Sequence, residues 1–151
     1  MIHSALKTKT INLPSILTMS VPVQVFPEGV KSAFNSLENK LVNKNGRQFF
    51  GAVHINNNEL NYKACLVQNA KDEHLALGLD NYTIPGGKYV TNKLVNWTKN
   101  THLIKEMFNE MEHKYRFDAS RPQLEYYKSN RELVLMLPVI LREEQLKFDF
   151  E

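Results

Sequence analysis

Cysteine occurs once in the 151 residues, at Cys65, which excludes an internal disulfide framework and any zinc site built on cysteines. Long apolar runs are missing as well. The longest, Val134 to Leu141, is broken by Pro138 and is far short of the roughly 20 residues that cross a bilayer. No block of signal-peptide length opens the chain, so the expected location is cytoplasmic, with no membrane partner. Charge of one sign is not concentrated anywhere. Nineteen basic residues face sixteen acidic ones for a net charge of +3, with no run of like charges, whereas a nucleic-acid binder gathers its basic residues on one stripe. No direct nucleic-acid contact is expected.

The motifs of metal and cofactor chemistry are equally absent. Five histidines form no i, i+4 pair and no HExxH, so no metal is expected. Pro85-Gly86-Gly87-Lys88 is rich in glycine, but no GxxxxGK[ST] phosphate loop exists, and these glycines read as a tight turn that needs positive φ. There is no GxSxG elbow. Cys65 lies between Ala64 and Leu66 in an apolar strand, which suits an inert thiol. No cofactor is expected.

What the chain does have is a pattern stated twice. A strand region over 8–25, punctuated by Pro14 and Pro22, precedes a stripe of Val30, Phe34, Leu37 and Leu41, whose spacings of four, three and four mark a helix over about 28–42. Asn45-Gly46 ends it. Strands over 49–56 and 61–68 follow around a polar turn at Asn57-Asn58. A second strand region over 80–94 then precedes Leu103, Ile104, Met107, Phe108, Met111 and Tyr115, the stripe of a helix over about 101–117. Strands over 123–129 and 132–140 close the pattern around Asn130. Equivalent positions lie some 71–75 residues apart: Pro14 with Pro85, Phe50 with Glu125, Leu66 with Pro138.

This spacing predicts one α+β domain over 1–151, made of tandem β-α-β-β units at about 8–68 and 80–140. The expected build is one curved antiparallel sheet with both helices on one face. The other face is left to form a ligand cleft at the junction of the halves. Without a sustained heptad pattern the chain is expected to be a monomer.

Arg121-Pro122-Gln123-Leu124-Glu125-Tyr126-Tyr127 is the segment that carries chemistry. Strand alternation puts Glu125 and Tyr127 on one face. The repeat aligns Glu125 with Phe50, so a carboxylate stands where the first half has an aromatic ring. A carboxylate ringed by Phe and Tyr would attract a flat, partly apolar cation through charge and cation–π contact, and burial without a partner would raise its pKa. The alternative is a solvated glutamate paired with Lys128 or Arg131. Trp97 and Phe26, each just before a helix and 71 residues apart, either line opposite rims of the cleft or pack as ordinary core.

At these residues the sequence resembles the GyrI-like small-molecule-binding domains, the effector-binding family of AraC-type and MerR-type activators. Pro85-Gly86-Gly87-Lys88-Tyr89 is similar to that family's "Pro, any, Gly, basic, Tyr" core. Leu124-Glu125-Tyr126-Tyr127 resembles its "Phe-Glu-x-Tyr" signature, with Leu124 in place of Phe, and Leu137-Pro138-Val139 resembles its closing "Ile-Pro-Ile" strand. The resemblance implies a tandem duplication and a junction cleft for bulky lipophilic cations, with Glu125 at its floor and Tyr127 beside it. Phe50, Trp97 and Phe26 complete the candidate ligand-binding set.

With no helix-turn-helix segment in the sequence, the expected function is free-standing sequestration or sensing of a drug or metabolite. A tyrosine common in the family after the Gly51 region has no evident counterpart here. Two other readings stay open. One is a hydrolase of electrophilic natural products using Glu125 and Tyr127, and the other is a protein-interaction module such as a gyrase modulator. The segment 142–151, with Phe148 and Phe150 among charges, reads equally as an edge strand or a contact segment.

Overall fold

A computed structural model describes residues 7–140; segment 142–151 lies outside them. Eight strands form one sheet: β1 (Lys9–Leu13), β2 (Ile16–Pro22), β3 (Phe49–Asn56), β4 (Glu59–Val67), β5 (Asp80–Ile84), β6 (Gly87–Val95), β7 (Gln123–Tyr127) and β8 (Glu132–Pro138). Three α-helices accompany them: α1 (Val30–Asn39), α2 (Glu73–Leu77) and α3 (His102–Lys114). The strand order is β1-β6-β8-β7-β3-β4-β2-β5, and every neighbouring pair is antiparallel. The expected curved antiparallel sheet with helices is observed.

Local sequence explains the elements. Asn57 and Asn58 both take positive φ, 51° and 69°, which closes a two-residue hairpin between the paired Asn56 and Glu59. Asparagine tolerates this left-handed region, and its twist matches the flanking strands. Gly87 has φ 140°, the conformation expected at the end of Pro85-Gly86-Gly87, and a Cβ there would press on the Arg121 guanidinium. That guanidinium is fixed by donating to Asp118 Oδ2, the Lys88 carbonyl and the Val139 carbonyl at 2.9–3.1 Å. Helix α2 has no apolar stripe long enough to announce it. It is held through Glu73, whose carboxylate receives two 2.9 Å bonds from the mostly buried Arg47.

Both faces of the sheet are covered, each in its own way. On one face α1 packs Ala33 and Leu37 over Met19, Ala64 and Leu66, while α3 packs Met107, Phe108 and Met111 over Leu133, Leu135 and Leu137. On the other face Phe50, Ala52, Cys65, Ile84, Tyr89, Leu124 and Met136 form a core of their own, with Ile11 and Leu13 from one edge strand and Tyr82 from the other packed against it. The sheet therefore curls around that face and fills it. The face expected to be free for a cleft is closed, because a half-barrel buries its inner side chains against one another. The space open to a ligand lies on the helical face, between α1 and α3.

Candidate functional site

Strand β7 runs along the middle of the sheet, paired with β3 on one side and β8 on the other. Its alternate residues Gln123, Glu125 and Tyr127 line a cleft of about 1450 Å³ between α1 and α3. Drug-sized ligands occupy sites of roughly 300–1,000 Å³, so this one suits a bulky occupant. Its walls are largely aromatic and aliphatic, from Phe26, Phe34, Phe49, Trp97, Ile104 and Phe108.

Glu125 sits at the floor and is 7% exposed. Two phenols donate to the same oxygen, Oε1: Tyr62 at 2.6 Å and Tyr127 at 2.7 Å. The two phenol oxygens are themselves 2.9 Å apart. Among the described residues no basic group pairs with Glu125; Lys128 and Lys93 instead lie against Glu132. Burial raises the Glu125 pKa above the usual carboxylate value, and the two tyrosine hydrogen bonds pull in the opposite direction. Burial and the neighbouring carboxylate push Tyr62 and Tyr127 well above the ordinary phenol value, so both stay protonated as donors. The solvated pairing with Lys128 or Arg131 is not what forms.

Rings extend outward from this triad. Phe26 stacks on Tyr62 with centroids 5.4 Å apart. Phe34 meets Tyr127 edge-on at 4.9 Å, and Trp97 meets the same ring at 5.2 Å. Trp97 is set by a short 3-10 turn, Trp97–Lys99, and its Nε1 donates to the Ser129 carbonyl at 2.9 Å. Glu125, Tyr127, Trp97 and Phe26 thus stand together around one cleft.

Phe50 does not join them. It is 4% exposed and stacks on Tyr126 at 4.9 Å in the core on the opposite face. The register explains the correction: Gly51, not Phe50, lies across from Glu125. A one-residue shift along a strand moves a side chain to the other face.

No sequence motif singles out Tyr62, yet its position follows from the Asn57-Asn58 turn. That turn sets Asn56 against Glu59 and hence Val53 against Tyr62, one step along the same face from Gly51. A Cβ at Gly51 would fall on the Tyr62 hydroxyl and come within 2.9 Å of Glu125 Oε1. Glycine is required there because the phenol lies directly over the backbone.

Comparison with known proteins places the fold. No family model and no curated protein matches the sequence. Solved structures do match. An integron cassette protein of Vibrio cholerae aligns with TM-score 0.62 at 14% identity, covering 89% of this chain and 95% of that one. SAV2435 bound to tetraphenylphosphonium aligns with TM-score 0.62 at 12% identity, covering 92% and 97%. The EcmrR C-terminal domain aligns with TM-score 0.61 at 13% identity, covering 90% and 98%. These likenesses show a shared fold. A hydrolase from Listeria innocua shares it too, with TM-score 0.63 at 18% identity over 89% and 92%. Among the described residues no helix is long and apolar enough to cross a membrane.

Proposed function

We propose that this protein binds bulky lipophilic cations in the cleft between α1 and α3, with Glu125 as the anionic anchor. One observation carries the reading: a buried carboxyl with no basic partner among the described residues lies at the floor of an aromatic cleft. Such a group has lost its water without gaining a counter-charge, and a ligand cation supplies one while its apolar body covers the rings. Both tyrosine bonds fall on Oε1, which leaves Oε2 for the ligand. That a protein of similar fold was solved with tetraphenylphosphonium supports the same chemistry here. The protein acts as a sequestering or sensing domain.

The test is thermal unfolding with tetraphenylphosphonium and with tetraphenylborate, which has nearly the same shape and the opposite charge. At about 100 times its Kd the cation is expected to add roughly 2.7 kcal/mol, a rise of roughly 5–10 °C for a chain of this length. Glu125→Gln is expected to weaken its Kd tenfold or more, about 1.4 kcal/mol. Equal stabilisation by the anion, or full affinity in Glu125→Gln, would sink the proposal.

A second reading, hydrolysis of an electrophilic ligand, rests on the raised pKa of Glu125, which improves a carboxylate as a general base toward water. The similar fold of a Listeria innocua hydrolase supports it. Product formed from a strained electrophile by wild type and not by Glu125→Gln would establish turnover.

A further inference from the structure

The cleft floor holds a second polar group whose direction is fixed. Gln123 precedes Glu125 by two residues on β7, so it faces the same side roughly 6.6–6.8 Å away along the strand. It is 7% exposed, and the part left open lines the cleft. Its Nε2 donates to Glu112 Oε2 of α3 at 2.7 Å. A carboxylate only accepts hydrogen bonds, so the amide nitrogen is the atom turned toward Glu112. The amide oxygen, Oε1, is left as the free end and has no hydrogen-bond partner among the described residues.

A ligand seated over this oxygen takes away its water, so one that supplies a donor is favoured over an isostere that does not. Glu112, itself on the cleft wall, adds negative charge beside the amide and favours a donor with positive character.

We infer that Gln123, held by Glu112, is a specificity-determining residue that selects cations carrying an N–H donor at one end. The favoured ligand class is a flat aromatic cation whose charged centre meets Glu125 and whose amino or amidine group meets Gln123 Oε1. Glu112 acts as a positioning residue. The inference rests on the cation-binding reading of the same cleft and deepens it.

The experiment compares three probes by calorimetry: ethidium, the phenanthridinium lacking both amino groups, and tetraphenylphosphonium, which has no donor. Wild type is expected to prefer ethidium over the amino-free ring by about three- to tenfold, the range of one hydrogen bond. Gln123→Leu is expected to abolish that preference, read as the ratio of the ethidium affinity to that of the amino-free ring. Glu112→Gln frees the amide to turn over and is expected to shrink the preference of ethidium over the amino-free ring. Its rescue by Glu112→Asp would mark positioning, since a merely structural role would shift all three probes together.

Equal losses for all probes in Gln123→Leu, or a preference that survives it, would overturn the role of Gln123. If tetraphenylphosphonium binds with its Glu125 dependence intact and only the preference is missing, the amide inference alone fails. If none of the three cations binds wild type, both fail together.

Discussion

Three oxygens, from Glu125, Tyr62 and Tyr127, lie 2.6–2.9 Å from one another. When Glu125 is ionised, two phenol protons serve three edges of that triangle, and one edge holds two oxygens with no proton between them. A proton on Glu125 supplies the third. The two tyrosine hydrogen bonds favour the carboxylate and burial favours the acid. Burial is the larger effect, and the proton-free third edge does nothing to oppose it, so the carboxyl holds its proton above the usual range.

The sign of the resulting pH dependence follows. Because the folded state binds this proton more tightly than the unfolded chain does, Glu125 reduces stability as pH rises from its ordinary value of 4.5 through its raised value, and the loss is complete above the latter. Glu125→Gln should thus gain melting temperature relative to wild type as pH rises from 4.5 to 8; a difference independent of pH would contradict the burial argument. Cation affinity moves the other way, strengthening over the same window as the carboxylate forms, and calorimetry in buffers of different ionisation enthalpy should detect the released proton. At Gly51 the added methyl of Gly51→Ala has no space under the Tyr62 hydroxyl. Overpacking of this kind costs about 1–3 kcal/mol, read as a lower urea midpoint together with a loss of cation binding.

Whole elements were more legible than their pairing. The stripes Val30–Phe34–Leu37 and Ile104–Met107–Phe108–Met111 place buried and partly buried residues of α1 and α3 on one side at helical spacing, and the asparagine turn reveals the β3–β4 hairpin. Helix α2 was not legible, because five residues with no buried member have no period to detect. Register was the other failure. An offset between halves good to a residue or two cannot tell Phe50 from Gly51, and in a strand that difference exchanges the cleft face for the core. The face of the cleft is not legible for a related reason: alternation shows that both faces are apolar, not which one a curled sheet fills. The element that shapes the cleft wall is α3, whose Met111 is fully buried against β8. Met111→Ala should cost about 2–5 kcal/mol, measured by urea unfolding, and should loosen the wall that carries Phe108 and Glu112.

At the scale of the molecule the sheet order reads the same from either edge: β6-β8-β7 mirrors β2-β4-β3, and β7 meets β3 at the centre. The outer strands are exchanged. β1, from the first half of the chain, pairs with β6 of the second, and β5, from the second half, pairs with β2 of the first. Three separate pairings, β1–β6, β2–β5 and β3–β7, therefore cross between halves, and the inner core draws side chains from both edges. Neither half can lose its structure without exposing backbone and apolar surface of the other, and the cleft between α1 and α3 keeps its width because the sheet beneath it is continuous. Equilibrium unfolding should accordingly be one cooperative transition. Trp97 fluorescence reports only the second half, whereas far-UV circular dichroism reports both, and their urea midpoints should coincide. A fluorescence midpoint displaced from the dichroism midpoint would mean that the halves unfold separately, and that the exchanged strands do not bind them into one unit.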